Sequence, residues 1–333
     1  MNILVTGATG FIGREIVNEL IENKHQVAGL GRSRISEENI SPNFSFYRGD
    51  ITDAESLSDL EELQNIEVII HSAGLAHQFG NTSRKEFESV NIKGTENILK
   101  LGVKLKIKHF ILIGSTAVYG IASQTGDPKQ SAFNIKEDAP TNPQTLYAES
   151  KLNGEKICQR ICEENKIDLT IFRLAPVIGE GNVGNIARLI RAIDKNRFIW
   201  IGNGNNLKSL IYKRDVARAC AVLIGNKREG AEIFNLAAQP IQMKDFVNNI
   251  STGLNKKIIP IKIPASFLRN LFRLNDRYLK IKKIDKVSET VEKWLSDDVY
   301  SADKITKLYQ FTPQTTIQEA ICKQIQYYKI HSD

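Results

Sequence analysis

The chain has 333 residues, 41% of them hydrophobic and 25% charged, with a formal net charge of +7. That composition is ordinary for a folded globular chain, long enough for a sizeable core in one large α/β domain or two smaller ones. The positive balance favours anionic partners such as phosphates, but no arginine-rich arm or aromatic–basic RNA motif accompanies it, which argues against nucleic acid.

Taken in chain order, apolar strand-like runs fall at Ile3–Thr6, Gln26–Leu30, Phe44–Arg48, Val68–His71, His109–Ile113 and Leu169–Leu174. Amphipathic helical patterns alternate with them, at Phe11–Asn23, Arg84–Lys106 and Leu146–Asn165. Such alternation predicts a Rossmann-type α/β fold, a doubly wound parallel sheet covered on both faces. From about Gly179 the rhythm loosens into glycine–asparagine turns, "GEGNVGN" and "GNGNN". We therefore expect a dinucleotide-binding domain over 1–178, its sheet completed by later strands near 208–236. A smaller C-terminal α/β substrate lobe should cover 179–330. No apolar run approaches the ~20 residues of a membrane span. A strand at Asn2–Thr6 leaves no room for a signal peptide, so a cytoplasmic location is expected. Cys158, Cys162, Cys220 and Cys322 form no CxxC and read as reduced thiols, and the five histidines lack metal-ligand spacing, so no metal is expected.

The turn "GATGFIG" at 7–13 follows a strand and opens a helix. In that context Gly7 permits the tight turn, Gly10 admits the phosphates of a dinucleotide, and Gly13 lets helix and strand approach. The helix N-terminus offers its N–H groups to the anion. At the end of the second strand, where a carboxylate would bind the ribose hydroxyls of NAD, the chain reads "GLGRSR". Gly31 and Arg32 favour the 2′-phosphate of NADP, with NAD as the alternative. Asp50 and Ile51, after the third strand, can meet the adenine amine.

Tyr147 and Lys151 in "YAESK" stand at i and i+4 on one helix face. A neighbouring cation favours phenolate, so this spacing predicts a lowered tyrosine pKa and proton exchange with an alcohol near neutral pH. "LIGSTAVYG" puts Ser115 at the carboxyl edge of the sheet, where ligands bind.

The glycine triplet, "HSAG" at 71–74, Asn91, "GSTAVYG" and Tyr147-x-x-x-Lys151 together resemble the extended short-chain dehydrogenase/reductases. More narrowly they resemble the NAD(P)-dependent epimerase/dehydratase branch that acts on nucleotide sugars. The resemblance implies a Ser115–Tyr147–Lys151 triad with Tyr147 as acid/base at the sugar 4-position, Lys151 holding the nicotinamide ribose and Ser115 bonding the substrate oxygen. It implies cofactor contacts from Gly7, Thr9, Gly10, Phe11, Ile12, Gly13, Arg32, Asp50, Ile51, Ser72, Ala73, Gly74, Asn91, Tyr147, Lys151 and Pro176. Substrate contacts would come from Ser115, Thr116, Asn185 and Lys208, the last two against the nucleotide diphosphate. The chain departs from the family at Leu174, where proline is usual, at Ile178, where tyrosine is usual, and at Lys208, where arginine is usual.

Dehydratases of this kind carry an Asp-Glu pair beside the hydroxyl residue, whereas Thr116 and Ala117 follow Ser115, which argues against elimination. The resemblance then implies an NAD(P)H-dependent reductase of the 4-keto group of a UDP-linked 6-deoxy hexose in bacterial surface-polysaccharide synthesis. A UDP-hexose 4-epimerase with tightly bound NAD is the alternative, and a non-catalytic NADP-binding sensor a third. The resemblance also implies a homodimer, because the family's equivalents of the helical stretches Arg84–Lys106 and Leu146–Asn165 form its dimer interface. The stretch 267–286, "FLRNLFRLNDRYLKIKKIDK", interleaves basic and apolar residues and could lie on an anionic membrane, or form the lobe's outer helix with snorkelling side chains.

Overall fold

Fully apolar, β-branched strands need cover on both faces, and the computed structural model supplies it. It describes residues 1–33, 41–76, 82–120, 134–226, 229–259, 261–274 and 282–331. The first half runs β1 (Asn2–Thr6), α1 (Gly13–Glu22), β2 (Gln26–Gly31), β3 (Phe44–Arg48), β4 (Val68–His71), α2 (Arg84–Phe87) and α3 (Thr95–Lys104). It continues through β5 (His109–Ser115), α4 (Leu146–Asn165), β6 (Asp168–Leu174), β7 (Val177–Ile178) and α5 (Asn185–Asp194). Next come β8 (Trp200–Ile201), β9 (Leu207–Lys208), β10 (Ile211–Tyr212), α6 (Lys213–Leu223), β11 (Ala231–Leu236) and β12 (Ile241–Gln242). The chain finishes with α7 (Met243–Leu254), β13 (Lys262–Ile263), α8 (Ala265–Leu274), α9 (Lys282–Leu295), α10 (Asp303–Tyr309) and α11 (Ile317–His331).

Seven strands form one parallel sheet in the order β11–β6–β5–β4–β1–β2–β3. The chain winds outward from β1 to β3, then returns to β4 on the other side. The order therefore reverses between β1 and β4, and a crevice opens at the carboxyl ends of those strands. Because strand side chains alternate, Ile3 and Val5 enter one core layer with α1 and α6, while Leu4 enters the other with α3 and α4. Each such buried aliphatic contributes roughly 1.5–3 kcal/mol. A third cluster, with Ile190, Trp200, Phe246, Ile250 and Ile321 at its centre, is built almost wholly from residues beyond Ile178.

Beyond shifts of one or two residues at strand ends, the structure differs from the sequence reading in three places. The helix expected over Arg84–Lys106 is interrupted by a π-helical stretch at Glu88–Gly94. The widened turn brings Asn91 inward to bond Leu75 and Ser150, and packs Gly94 so tightly that a Cβ there would meet Ile51 Cδ1 at 2.7 Å. The first helix begins at Gly13 rather than Phe11, leaving Phe11 in the loop and Ile12 as N-cap. Of the strands near 208–236 only β11 joins the main sheet, whereas β9 and β10 pair with β12 and β7. Residues Arg34 and His77 and the stretch 275–281 lie outside the described residues. Among the described residues no helix is long and apolar enough to cross a membrane.

Candidate active site

The β1–α1 turn is built where only glycine fits. Gly7 has φ +67°, and a Cβ on it would meet the Ala73 backbone nitrogen at 2.8 Å. A Cβ on Gly13 would overlap Gly7 O, so helix and strand touch backbone to backbone. Gly10 is exposed, and Ile12 caps α1 without any side-chain bond to the first-turn N–H groups. The turn thus suits a pyrophosphate, offering backbone donors and positive helix charge with no side chain in the way. Thr9 Oγ1 lies 3.1 Å from where a Gly31 Cβ would stand, and the Lys213 ammonium sits 5.7 Å over the Phe11 ring.

After β4 the backbone passes directly beneath this turn. Ala73 N donates to Thr6 Oγ1 (3.1 Å), whose own proton goes to His71 Nδ1 (2.7 Å). Thr95 spends its proton on Asn91 O (2.8 Å), so it accepts from His71 Nε2 (3.1 Å), and the ring is the neutral Nε2–H form. Burial, reinforced by the Lys151 charge, pushes His71 down to about 3, consistent with that tautomer. Asn91 Oδ1 accepts from Leu75 N (2.7 Å), and Asn91 Nδ2 donates to Leu75 O (3.0 Å) and Ser150 Oγ (2.9 Å). Gly74 is where this network meets the catalytic helix. A Cβ there would stand 3.1 Å from Lys151 Nζ and 3.2 Å from Asn91 Oδ1.

Ser115 ends β5 and caps the short 3-10 turn Thr116–Tyr119, accepting from Ala117 N at 3.2 Å. Thr145 caps α4 through Ala148 N (3.1 Å), which fixes Tyr147 in the first turn and Lys151 one turn on. Tyr147 hydrogen-bonds Ser115, and its ring lies 6.2 Å from that of Phe87. Lys151 Nζ donates to Ile113 O at 3.0 Å. Burial raises the Tyr147 pKa, only partly opposed by the Ser115 bond. This corrects the expectation of a phenol lowered by Lys151. The ammonium is turned toward Ile113 O, and the phenol stays protonated near neutral pH. Burial lowers Lys151 itself to about 8, against the opposing pull of Glu155.

Behind Lys151 stands a network the sequence reading left unassigned. Arg173 on β6 is nine-tenths buried and clasps Glu155 with Nε to both carboxylate oxygens (3.2 Å) and Nη2 to Oε2 (2.8 Å). Its Nη1 donates to Tyr119 OH (2.9 Å), which donates to Asn235 Oδ1 (2.8 Å) on β11. The one signal in the sequence was the i+4 spacing of Glu155 from Lys151.

The remaining expected residues are placed as follows. Arg32 is exposed at the end of β2. Asp50 caps its own turn, its Oδ1 accepting from Thr52 N and Thr52 Oγ1 at 2.9 Å, and Ile51 is buried. Ser72 and Ala73 are half-buried after β4, and Pro176 is exposed after β6. Thr116 is buried with its hydroxyl spent on Leu174 O at 3.1 Å. Asn185 is exposed in the first turn of α5. Lys208 is buried on β9. Its ammonium is held by Asp298 (2.6 Å) and Lys293 O (2.7 Å), and burial lowers its pKa while Asp298 opposes.

Comparison with known proteins agrees with this layout. The chain is 25% identical to the N-acetyl-alpha-D-glucosaminyl-diphospho-ditrans,octacis-undecaprenol 4-epimerase of Escherichia coli O157:H7, over 99% of this chain and 96% of that one. It is 32% identical to a putative UDP-glucose 4-epimerase of Methanocaldococcus jannaschii, over 68% of this chain and 74% of that one. Its fold matches the UDP-glucose 4-epimerase of Thermotoga maritima solved with UDP-glucose, at TM-score 0.76, 22% identity and 100% coverage of both chains. It also matches the UDP-glucuronic acid 4-epimerase of Bacillus cereus in complex with NAD, at TM-score 0.76, 21% identity and 100% coverage of both chains. A model of the NAD dependent epimerase/dehydratase family matches residues 3–237, which takes in the glycine turn, the triad and the whole seven-stranded sheet. The chain therefore belongs to the NAD dependent epimerase/dehydratase family, enzymes of the extended short-chain dehydrogenase/reductase type.

Proposed function

We propose that the protein carries out nicotinamide-coupled oxidation–reduction at the 4-position of a hexose carried on a nucleotide diphosphate, and that it runs as a 4-keto reductase. The observation that carries this reading is the Ser115–Tyr147 hydrogen bond beside Lys151, with the phenol kept protonated by burial. A protonated phenol at rest is poised to give its proton to a ketone oxygen, which is the direction a reductase needs. Ser115 would hold that oxygen, and Lys151, beside Gly74 and Asn91, would hold the nicotinamide ribose. When bound, the reduced cofactor supplies the hydride. The chain's own part is to position, exclude water and deliver the proton.

The site argues against elimination, because Ala117 has no ionisable group and the Thr116 hydroxyl is committed to Leu174 O. Gly31 and exposed Arg32 favour NADP over NAD. Asn185 and Lys208 are proposed to face the diphosphate, Lys208 exchanging its bond to Asp298 for a phosphate oxygen. The sugar is read as a UDP-linked 6-deoxy hexose of surface-polysaccharide synthesis, and the chain as a cytoplasmic homodimer through α3 and α4. A second reading, 4-epimerase with retained NAD, is favoured by the two curated relatives above, both named as 4-epimerases.

Purification followed by release of bound nucleotide separates the two. Protein free of nucleotide that consumes NADPH only with a UDP-4-keto sugar supports the reductase. Stoichiometric NAD and interconversion of UDP-hexoses without added cofactor supports the epimerase and refutes the first reading.

A further inference from the structure

The C-terminal lobe carries an apolar–basic surface that the catalytic reading does not use. Residues 256–274 read "KKIIPIKIPASFLRNLFRL", and 195–201 read "KNRFIWI", and neither stretch contains an Asp or Glu. The structure brings the two together. β13 pairs in parallel with β8 through Lys262–Trp200 and Ile263–Ile201, and Trp200 N donates to Ile261 O at 3.2 Å. That register leaves Ile199 and Ile261 on adjacent strands just before the ladder, and both are exposed, 46% and 56%.

After β13 only Pro264 intervenes before α8. The helix buries Phe272 but turns Phe267 (62% exposed) and Leu271 (41% exposed) to solvent one turn apart, with Arg269 and Arg273 also exposed. A water-facing helix that shows phenylalanine and leucine at i and i+4 between arginines is built for a surface both apolar and negative. The carboxylates that meet this surface are already paired, Glu292 on α9 with Arg269 (2.9 and 3.0 Å) and Asp194 with Lys256 (3.4 Å), so they do not oppose an anionic partner.

We propose that this face, the Ile199/Ile261 strand edge with the Phe267/Leu271 side of α8, docks the enzyme on an anionic lipid bilayer. Charge complementarity selects the occupant. Lys195, Arg197, Lys257, Lys262 and Arg273 are exposed within these two stretches, which a second copy of the same basic face would repel. The apolar side chains enter the headgroup region, and the lysines and arginines meet lipid phosphates. The proposal holds whatever sugar the cleft takes.

The test is sedimentation of the full chain with vesicles. Binding is expected to phosphatidylglycerol/phosphatidylcholine vesicles, at least tenfold weaker to phosphatidylcholine alone and at least tenfold weaker in 0.5 M NaCl. The double substitution Phe267→Ser/Leu271→Ser, at exposed positions, should lower binding to the anionic vesicles at least tenfold with an unchanged melting temperature. Absence of binding to anionic vesicles, or equal binding by the double variant, overturns the proposal. So does a parent dimer, seen by analytical ultracentrifugation, that the double variant loses without any vesicle binding, since this face would then join two copies. Because vesicle binding is read without substrate or cofactor, its failure leaves the oxidoreductase reading standing.

Discussion

Glu155→Gln tests whether the buried ion pair behind the catalytic lysine holds the site. Arg173 spends three N–H contacts on the Glu155 carboxylate, and both side chains are almost entirely buried, at 5% and 1% exposure. Glutamine keeps the shape and one acceptor oxygen but leaves the guanidinium charge uncompensated. Breaking one side of a buried pair costs about 3–5 kcal/mol. At ~2–3 °C per kcal/mol for a chain of this size, the melting temperature of the cofactor-free protein should fall by about 10 °C. Replacing both partners with apolar residues, Glu155→Leu/Arg173→Met, should lie closer to the parent than the single variant, because no charge is then stranded. The same carboxylate draws the Lys151 pKa upward against burial, so in Glu155→Gln the ammonium should titrate below about 8. A single variant melting within about 2 °C of the parent, or a double variant worse than the single, would refute the reasoning.

Further outcomes follow from individual contacts. Tyr147→Phe should abolish turnover while leaving cofactor affinity nearly unchanged by titration, since only the hydroxyl that bonds Ser115 is removed. Arg32→Ala should weaken NADPH at least tenfold more than NADH in a fluorescence titration, and equal effects would defeat the NADP assignment. Gly13→Ala should abolish cofactor binding and cost several °C in melting temperature, because the new methyl overlaps Gly7 O. His71, held near 3 in the fold against an ordinary 6.5, is protonated first in the unfolded chain. Stability measured by urea midpoint should therefore be full above about pH 6.5 and fall progressively toward pH 3, and His71→Gln should remove that slope.

The sheet was legible because each strand is a short β-branched run between turn residues, and Phe44–Arg48 and Val68–His71 match their predicted ends. Helix α4 was legible to the residue, bounded by the Thr145 cap and a left-handed Lys166. What failed were features decided by distant partners. The apolar stripe of Arg84–Lys106 continues through the π-helical stretch, and only Ser150, Leu75 and Ile51 reveal why the helix opens there. Strand β5 runs two residues past Ile113 because Gly114 and Ser115 find Arg173 and Leu174 across the ladder. The i, i+4 spacing of Tyr147 and Lys151 was correct, yet spacing says nothing about where Nζ points, and it points at Ile113 O. The partners of Lys208 lie about 90 residues away, beyond any local pattern.

These long-range ties also bear on how the lobe serves the site. Lys208 on β9 is fastened to Lys293 O and Ser296 Oγ at the end of α9, and to Asp298 just beyond it. One residue before Lys293, Glu292 holds Arg269 on α8. The exposed Phe267/Leu271 face is thus one ion pair and one helix turn from the ammonium proposed to meet the diphosphate. A shift of α8 on docking would act on α9 and through it on Lys208, whereas the triad is anchored separately by Ile113, Ser115 and the Glu155–Arg173 pair.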